Sequence, residues 1–381
     1  MQTKYILFGI CAVLFLLGFS LNAKSPDCPF HVDYIQYTKD IGNFYENHII
    51  SSGVNGKYLY VYFMAILIKP LYNVGFGIYD SMVLISLIFQ IILVILFYRY
   101  TNSLLKTLLM ASTLTFLTFI GSPETIFLSS IFLMLYFINR DRPYSEFFIA
   151  MASLIRLDSA IFYLFARKKT AVLPIAITAL QWLATPRYFP VHSDFGINSH
   201  PVSAFYVFIL SFGFYILLFA FVKPSKSSRL DQATLGAIAL FLILFLKFPS
   251  QKIFFFPVML SFMLYDFDFS KLSSRKLYGL LILLVAANLL FGIATQYYRA
   301  GTCTPKEFYT FASGHNESIF FGVFQPYLDY KGKQYSPPYQ YQITINCRNL
   351  TDYMIAEDWR NAQLMFQPYK FCLEPWDGRY S

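Results

Sequence analysis

The chain has 381 residues, of which 56% are hydrophobic and only 13% charged, with a net charge of +9. Soluble domains carry about 25% charged residues, so this composition excludes a soluble globular protein and points to an integral membrane protein. The basic residues sit in short clusters between apolar runs, which orients membrane segments rather than binding nucleic acid; no Gly-rich phosphate loop, CxxC pair or HExxH helix supports a nucleotide, redox or zinc reading.

Residues 5–21 (YILFGICAVLFLLGFSL) read as a retained anchor with Lys4 inside, although the small-residue stretch LNAKS also resembles a signal-peptide cleavage region. A polar interval, 23–57, follows. It carries Asp27, Asp33, Asp40 and Glu46 with His31, His48 and Cys28. Its amphipathic part predicts an interfacial helix over 33–48, on which Asp33 and Asp40, seven residues apart, share one face. The same acids equally suit a solvated external loop.

The remaining apolar runs are 58–76, 78–98, 104–120, 124–139, 144–166, 170–184, 202–222, 232–247, 250–265 and 277–295. Together with the anchor they predict a helical bundle of about 11 spans, several of them short or interrupted. The basic connections are Arg99 to Lys106, Arg140 to Arg142, Arg167 to Lys169, Lys223 to Arg229 and Lys271 to Lys276. All five fall inside if 58–76, with Lys69-Pro70 in it, does not cross, and if 144–166 is a pair of short helices broken at Arg156-Leu157-Asp158. The outer surfaces are then 23–57, Gly121 to Glu124, Arg156 to Asp158, 185–201, 247–252 and the tail 297–381.

Four outer constellations carry candidate chemistry. Glu124 opens an apolar helix, where it either complements the helix dipole or serves as a second acid beside Asp33. Arg156 and Asp158 sit at membrane depth, where each charge costs roughly 2.5–3.5 kcal/mol, so they pair with each other or hold an anion. Lys247 and Lys252 flank another outer junction and either snorkel or meet a lipid phosphate. In 185–201, His192, Asp194 and His200 offer metal-ligand types at an unspecific spacing, leaving Mg or Mn as the only cofactor to consider. Asp266-Phe267-Asp268 imitates a DxD motif but falls inside, beside a basic run, and is read as a decoy.

Residues 1–296 thus form a transmembrane domain, and 297–381 a polar tail with a strand-like YQYQITIN. The tail holds two glycosylation sequons, at Asn316 and Asn349, and Cys303, Cys347 and Cys372. With Cys28 these predict a small extracytoplasmic cap closed by two disulfides, with three connectivities open. Cys11 lies in the first apolar segment and packs there.

Taken in order, these pieces resemble the GT-C superfamily of multispanning glycosyltransferases that use polyprenyl-phosphate sugars. The resemblance rests on a first span followed by an outer loop with an early acid, HVDYIQY. It continues in GSPETIFLSSIFLMLYFINRDR, in EFFIAMASLIRLDSAIFYLFARKK with its paired short helices around an Arg, and in SQKIFFFPVML, similar to a late segment of the mannosyltransferase branches. It covers residues 1–295, and the paired DxD or ExD of the first loop is missing.

The resemblance implies inverting transfer of a sugar, mannose foremost, from a polyprenyl-phosphate donor to a lipid- or protein-linked glycan acceptor on the extracytoplasmic face. The membrane is the endoplasmic reticulum in a eukaryote and otherwise the plasma membrane. Asp33 is then the general base, and Lys252, Arg156 and Lys247 stabilise the departing phosphate. A transporter or scramblase predicts charges along the middle of several spans. A non-catalytic subunit of a membrane complex predicts that Asp33 and Glu124 are replaceable.

Overall fold

The computed structural model describes residues 2–22, 32–48, 58–165, 200–223, 229–246, 251–270, 272–301, 310–314, 319–320, 340–345 and 371–375, with isolated positions 176 and 197. These residues are mostly helical. In chain order the helices are α1 (Gln2–Asn22), α2 (Val32–Asn47), α3 (Tyr58–Asn73), α4 (Ile78–Thr101), α5 (Leu104–Ala111), α6 (Leu114–Thr118), α7 (Thr125–Ile138) and α8 (Ser145–Ile155). A 3-10 helix (Leu157–Phe165), α9 (Pro201–Phe212), a second 3-10 helix (Gly213–Phe221) and β1 (Val222–Lys223) come next. Then follow α10 (Arg229–Phe245), α11 (Phe255–Leu264), β2 (Asp266–Phe267), α12 (Ser274–Gly301), β3 (Ile319–Phe320), β4 (Tyr341–Ile345) and β5 (Phe371–Pro375).

Among the described residues, three stretches are long and apolar enough to cross a membrane: Ile78–Thr101, Pro201–Phe221 and Ser274–Ala294. Six further apolar helices are shorter, among them Thr125–Ile138, Ser145–Ile155 and Phe255–Leu264. At 1.5 Å per residue the 14-residue α7 rises about 21 Å, less than the roughly 30 Å of a hydrocarbon core.

The chain divides into two compact units. The first comprises Met1–Asn22, Asn55–Tyr60 and Val83–Gln296. Here α7 and α8 pack side by side, and α11 packs on α5, α9 and α10. Rings of Phe116, Phe127 and Phe255, with centroids 5.6–6.2 Å apart, tie α6, α7 and α11 together. A Cβ at Gly18 would meet the tip of the Leu87 side chain, which would have to shift, so glycine eases the close approach of α1 to α4.

Two of the apolar runs are interrupted within their length. Run 104–120 splits into α5 and α6 because Thr113 takes the N-cap position and its hydroxyl accepts from Phe116 N at 3.3 Å. Run 202–222 changes from α to 3-10 at Gly213, whose φ of 62° suits glycine. Both breaks meet Asn288, fully buried in α12. Its amide nitrogen donates to the carbonyls of Ser112 (3.2 Å) and Phe212 (3.3 Å), and its oxygen accepts from Phe214 N at 2.8 Å. Tyr215 and Ser112 share a further hydroxyl bond of 2.6 Å. Backbone groups freed by two helix breaks are thus satisfied by one side chain, as an apolar interior demands.

The second unit comprises Ala23–Val54, Val61–Met82 and Tyr297–Ser381. Helix α2 buries Tyr34, Tyr37, Asp40 and Ile41, a 3.6-residue periodicity. Tyr45 donates to the Ala65 carbonyl at 2.5 Å, and Lys69 Nζ lies 3.9 Å from the Tyr45 ring centroid. Burial first, and the neighbouring Tyr72 second, push the Tyr45 phenol up to about 12, so it stays a neutral donor. The short sheet runs β3-β4-β5, with β3 parallel and β5 antiparallel to β4, and sets Thr344 opposite Cys372.

Candidate functional site

The candidate site lies where α7 begins, and its frame is the turn Gly121-Ser122-Pro123-Glu124. Pro123 cannot continue a preceding helix, so the chain turns before α7 starts. Gln90, buried in α4, holds this turn with both ends of its amide: Nε2 donates to Phe119 O and Oε1 accepts from Gly121 N, each at 3.0 Å. The buried Tyr60 hydroxyl donates to Pro123 O at 2.9 Å. Three hydrogen bonds from two apolar helices fix the backbone that carries Glu124.

Glu124 is the N-cap residue of α7, but its side chain makes no capping hydrogen bond. The carboxylate, only 3% exposed, instead faces Lys252 Nζ at 3.6 Å. Lys252 stands in the turn before α11 and is 19% exposed.

The second charge pair comes from the end of α8. Arg156 is extended (φ −143°, ψ 116°), its N–H closing α8 on Ala152 and its carbonyl starting the 3-10 helix through Ser159 N. Its Nε lies 2.9 and 3.2 Å from the two Asp158 oxygens, and Nη2 binds the same carboxylate. Nη1 donates to Thr125 Oγ1 at 3.2 Å. Both side chains are about nine-tenths buried, with 8% and 10% exposure. Ser129, one turn after Thr125 on the same face of α7, bonds Ala152 O at 3.1 Å and Ser159 Oγ at 2.7 Å. These bonds weld the start of α7 to the break after α8.

Two carboxylates and two cations therefore gather at one end of α7, α8 and α11. At the far end of α7 and α11, Tyr136, Phe137, Arg140, Leu260 and Leu264 line a common pocket. Beyond it, Lys106 pairs with Asp266 at 2.6 Å and Lys223 with Asp268 at 3.3 Å. The turns 121–124, 156–158 and 251–252 and the basic turns at 106, 140 and 223 thus occupy opposite ends of this group of helices. Asp266-Phe267-Asp268 belongs to the basic end, joined to β1 by a two-residue antiparallel pairing.

Of the other sequence candidates, Asp33 falls in the first turn of α2, with its side chain outside the described residues. Asp40 is fully buried in the second unit. Lys247, His192, Asp194, Cys28, Cys303, Cys347, Asn316 and Asn349 lie outside the described residues, as does the Cys372 side chain. Cys11 is a buried free thiol. Among the described residues no three of His, Cys, Asp and Glu gather as a metal would need. Both acids of the cluster face cations, so this donor set does not fit Mg or Mn.

Gln90, Tyr60, Thr125 and Ser129 escaped the sequence reading. Gln90, the one amide in the run 78–98, was the legible signal: a lone amide among apolar residues must bond something. Compared with protein-family models, curated proteins and solved structures, the chain matches none.

Proposed function

We propose that this chain is a polytopic membrane glycosyltransferase of GT-C type, with about 11 membrane segments and the charge cluster on the extracytoplasmic side. It transfers a sugar, mannose being the first to test, from a polyprenyl-phosphate donor to a lipid- or protein-linked acceptor with inversion. The observation that carries this reading is the buried cluster of Glu124, Lys252, Arg156 and Asp158. Ionic groups in an apolar setting are costly and rarely improve stability over apolar packing, so their retention favours a task.

In this reading Lys252 and Arg156, with Lys247 nearby in sequence, stabilise charge as the lipid phosphate departs. The acceptor oxygen attacks the anomeric carbon and its proton passes to the Asp33 carboxylate. The bond from that carbon to the phosphate oxygen breaks, and polyprenyl phosphate leaves with the electron pair. Glu124 is the second acid, and Asp40 stands in reserve as base. His192 and Asp194 remain the candidates for binding a divalent ion, should transfer require one.

The test is transfer from polyprenyl-phosphate sugars by the purified full chain. Wild type is expected to give product, and Asp33→Asn to lose about 10²–10⁴-fold in rate with donor binding retained. Full activity in Asp33→Asn moves the base elsewhere. No transfer by wild type across a donor panel, with glycan profiles still altered in a deletion strain, favours a non-catalytic subunit of a membrane complex.

A further inference from the structure

We infer that Glu124 is a built-in counter-ion that competes with the ligand phosphate for Lys252, so that donor binding must part the Glu124–Lys252 pair. The inference rests on the reading that a lipid phosphate is seated at Lys252.

The two ion pairs of the cluster are unlike. Arg156 is fixed to Asp158 through several donors and to Thr125 through another, and a planar fork held this way does not swing. Lys252 meets Glu124 at 3.6 Å, beyond the 3.2 Å limit of a good N–H to O hydrogen bond. Its ammonium sits on a flexible four-carbon stem and is the more exposed partner, 19% against 3%, so an anion reaches it first.

Glu124 cannot follow the lysine, because Gln90 and Tyr60 pin the turn that carries it. It does have a second position. As the N-cap residue of a 14-residue helix it can turn its carboxylate onto the first-turn amides of α7, a bond it does not make in this structure. The carboxylate thus alternates between an ion pair when the phosphate is absent and a helix cap when it is present. Lys252 is never left without an anion, and neither charge is left uncompensated in an apolar site.

The experiment measures binding of a sugar-free, short-chain polyprenyl phosphate to the purified full chain in detergent, with inorganic phosphate as a parallel ligand. Lys252→Ala is expected to weaken lipid-phosphate binding about ten-fold or more, and Glu124→Gln to tighten it by roughly 5–10-fold. In the Lys252→Ala background Glu124→Gln is expected to change nothing, because the competition acts through the lysine. Glu124→Asp, whose shorter carboxylate retreats from Lys252, should tighten binding by less and serves if Glu124→Gln does not fold.

Weaker or unchanged binding in both Glu124 variants, with Lys252→Ala still weakened, overturns the competition and leaves the phosphate seat standing. Equal binding by wild type and Lys252→Ala overturns the seat itself. A matching response to inorganic phosphate identifies a general anion site, and a response to the lipid alone identifies the headgroup.

Discussion

The ion pairs at the two ends of α7 and α11 use the same residue types in opposite surroundings. At the basic end, Asp266, Lys223 and Asp268 are 61%, 70% and 40% exposed, so water competes for these three charges, while Lys106 is 15% exposed. Asp268 there is held down to about 2, by the Ser270 backbone N–H and side chain ahead of Lys223. At the other end, Glu124 and Asp158 are 3% and 10% exposed, with Arg156 as deep as Asp158 and Lys252 at 19%. Exposed pairs of the first kind contribute little and mark which end faces water. Buried pairs of the second kind require one another, and removing one partner strands the other.

The sharpest way to break this comparison is to remove one carboxylate from each end. Asp158→Ala is expected to cost about 3–5 kcal/mol in detergent unfolding, because Arg156 stays buried without that carboxylate. Asp266→Ala is expected to cost about 0–1 kcal/mol. Equal losses would erase the distinction.

A neutral polar contact gives an intermediate case. Asn288→Leu strips partners from Phe214 N and the carbonyls of Ser112 and Phe212, and is expected to cost about 1–3 kcal/mol, read by the same unfolding. Because Asn288 carries no charge, donor binding should survive at temperatures where the protein stays folded.

Acid supplies a smaller effect. Asp268 has its carboxyl lowered from an ordinary 3.8 to about 2, so its contribution is present above pH 4 and fades as pH falls toward 2. Asp268→Asn should remove that increment from the pH–stability curve, and Lys223→Ala should leave most of it, since Ser270 is the larger cause.

Much of this frame could be read from the chain. A helix over 33–48 appears as α2, the break at Arg156-Leu157-Asp158 separates α8 from a 3-10 helix, and YQYQITIN contains β4. These features rest on local periodicity and on charges within an apolar run. Joining Glu124 to Lys252, 128 positions away, needed tertiary packing, although both were assigned to one outer surface by the bias of basic turns. The breaks at Ser112-Thr113 and Gly213 were illegible, because their compensation comes from Asn288, distant in sequence. Lys69-Pro70 was read as favouring a run 58–76 that does not cross; α3 passes through Pro70, ends at Asn73 and falls among the shorter apolar helices.

Sidedness can be sharpened by labelling single cysteines at Lys223 and Ser313 with an impermeant reagent. The expected result is reaction from opposite faces of sealed vesicles, and reaction of both from one face contradicts the proposed topology.

In the proposed function the buried end seats the donor phosphate and the exposed end does not, a difference read by the donor dependence of transfer in Lys252→Ala and Lys223→Ala, purified side by side with wild type. Loss of one charged contact to phosphate is worth about 1.5–3 kcal/mol, so Lys252→Ala should raise the donor KM by at least about ten-fold while Lys223→Ala leaves it unchanged. An unchanged donor KM in Lys252→Ala, or an equal rise in both variants, would contradict the account.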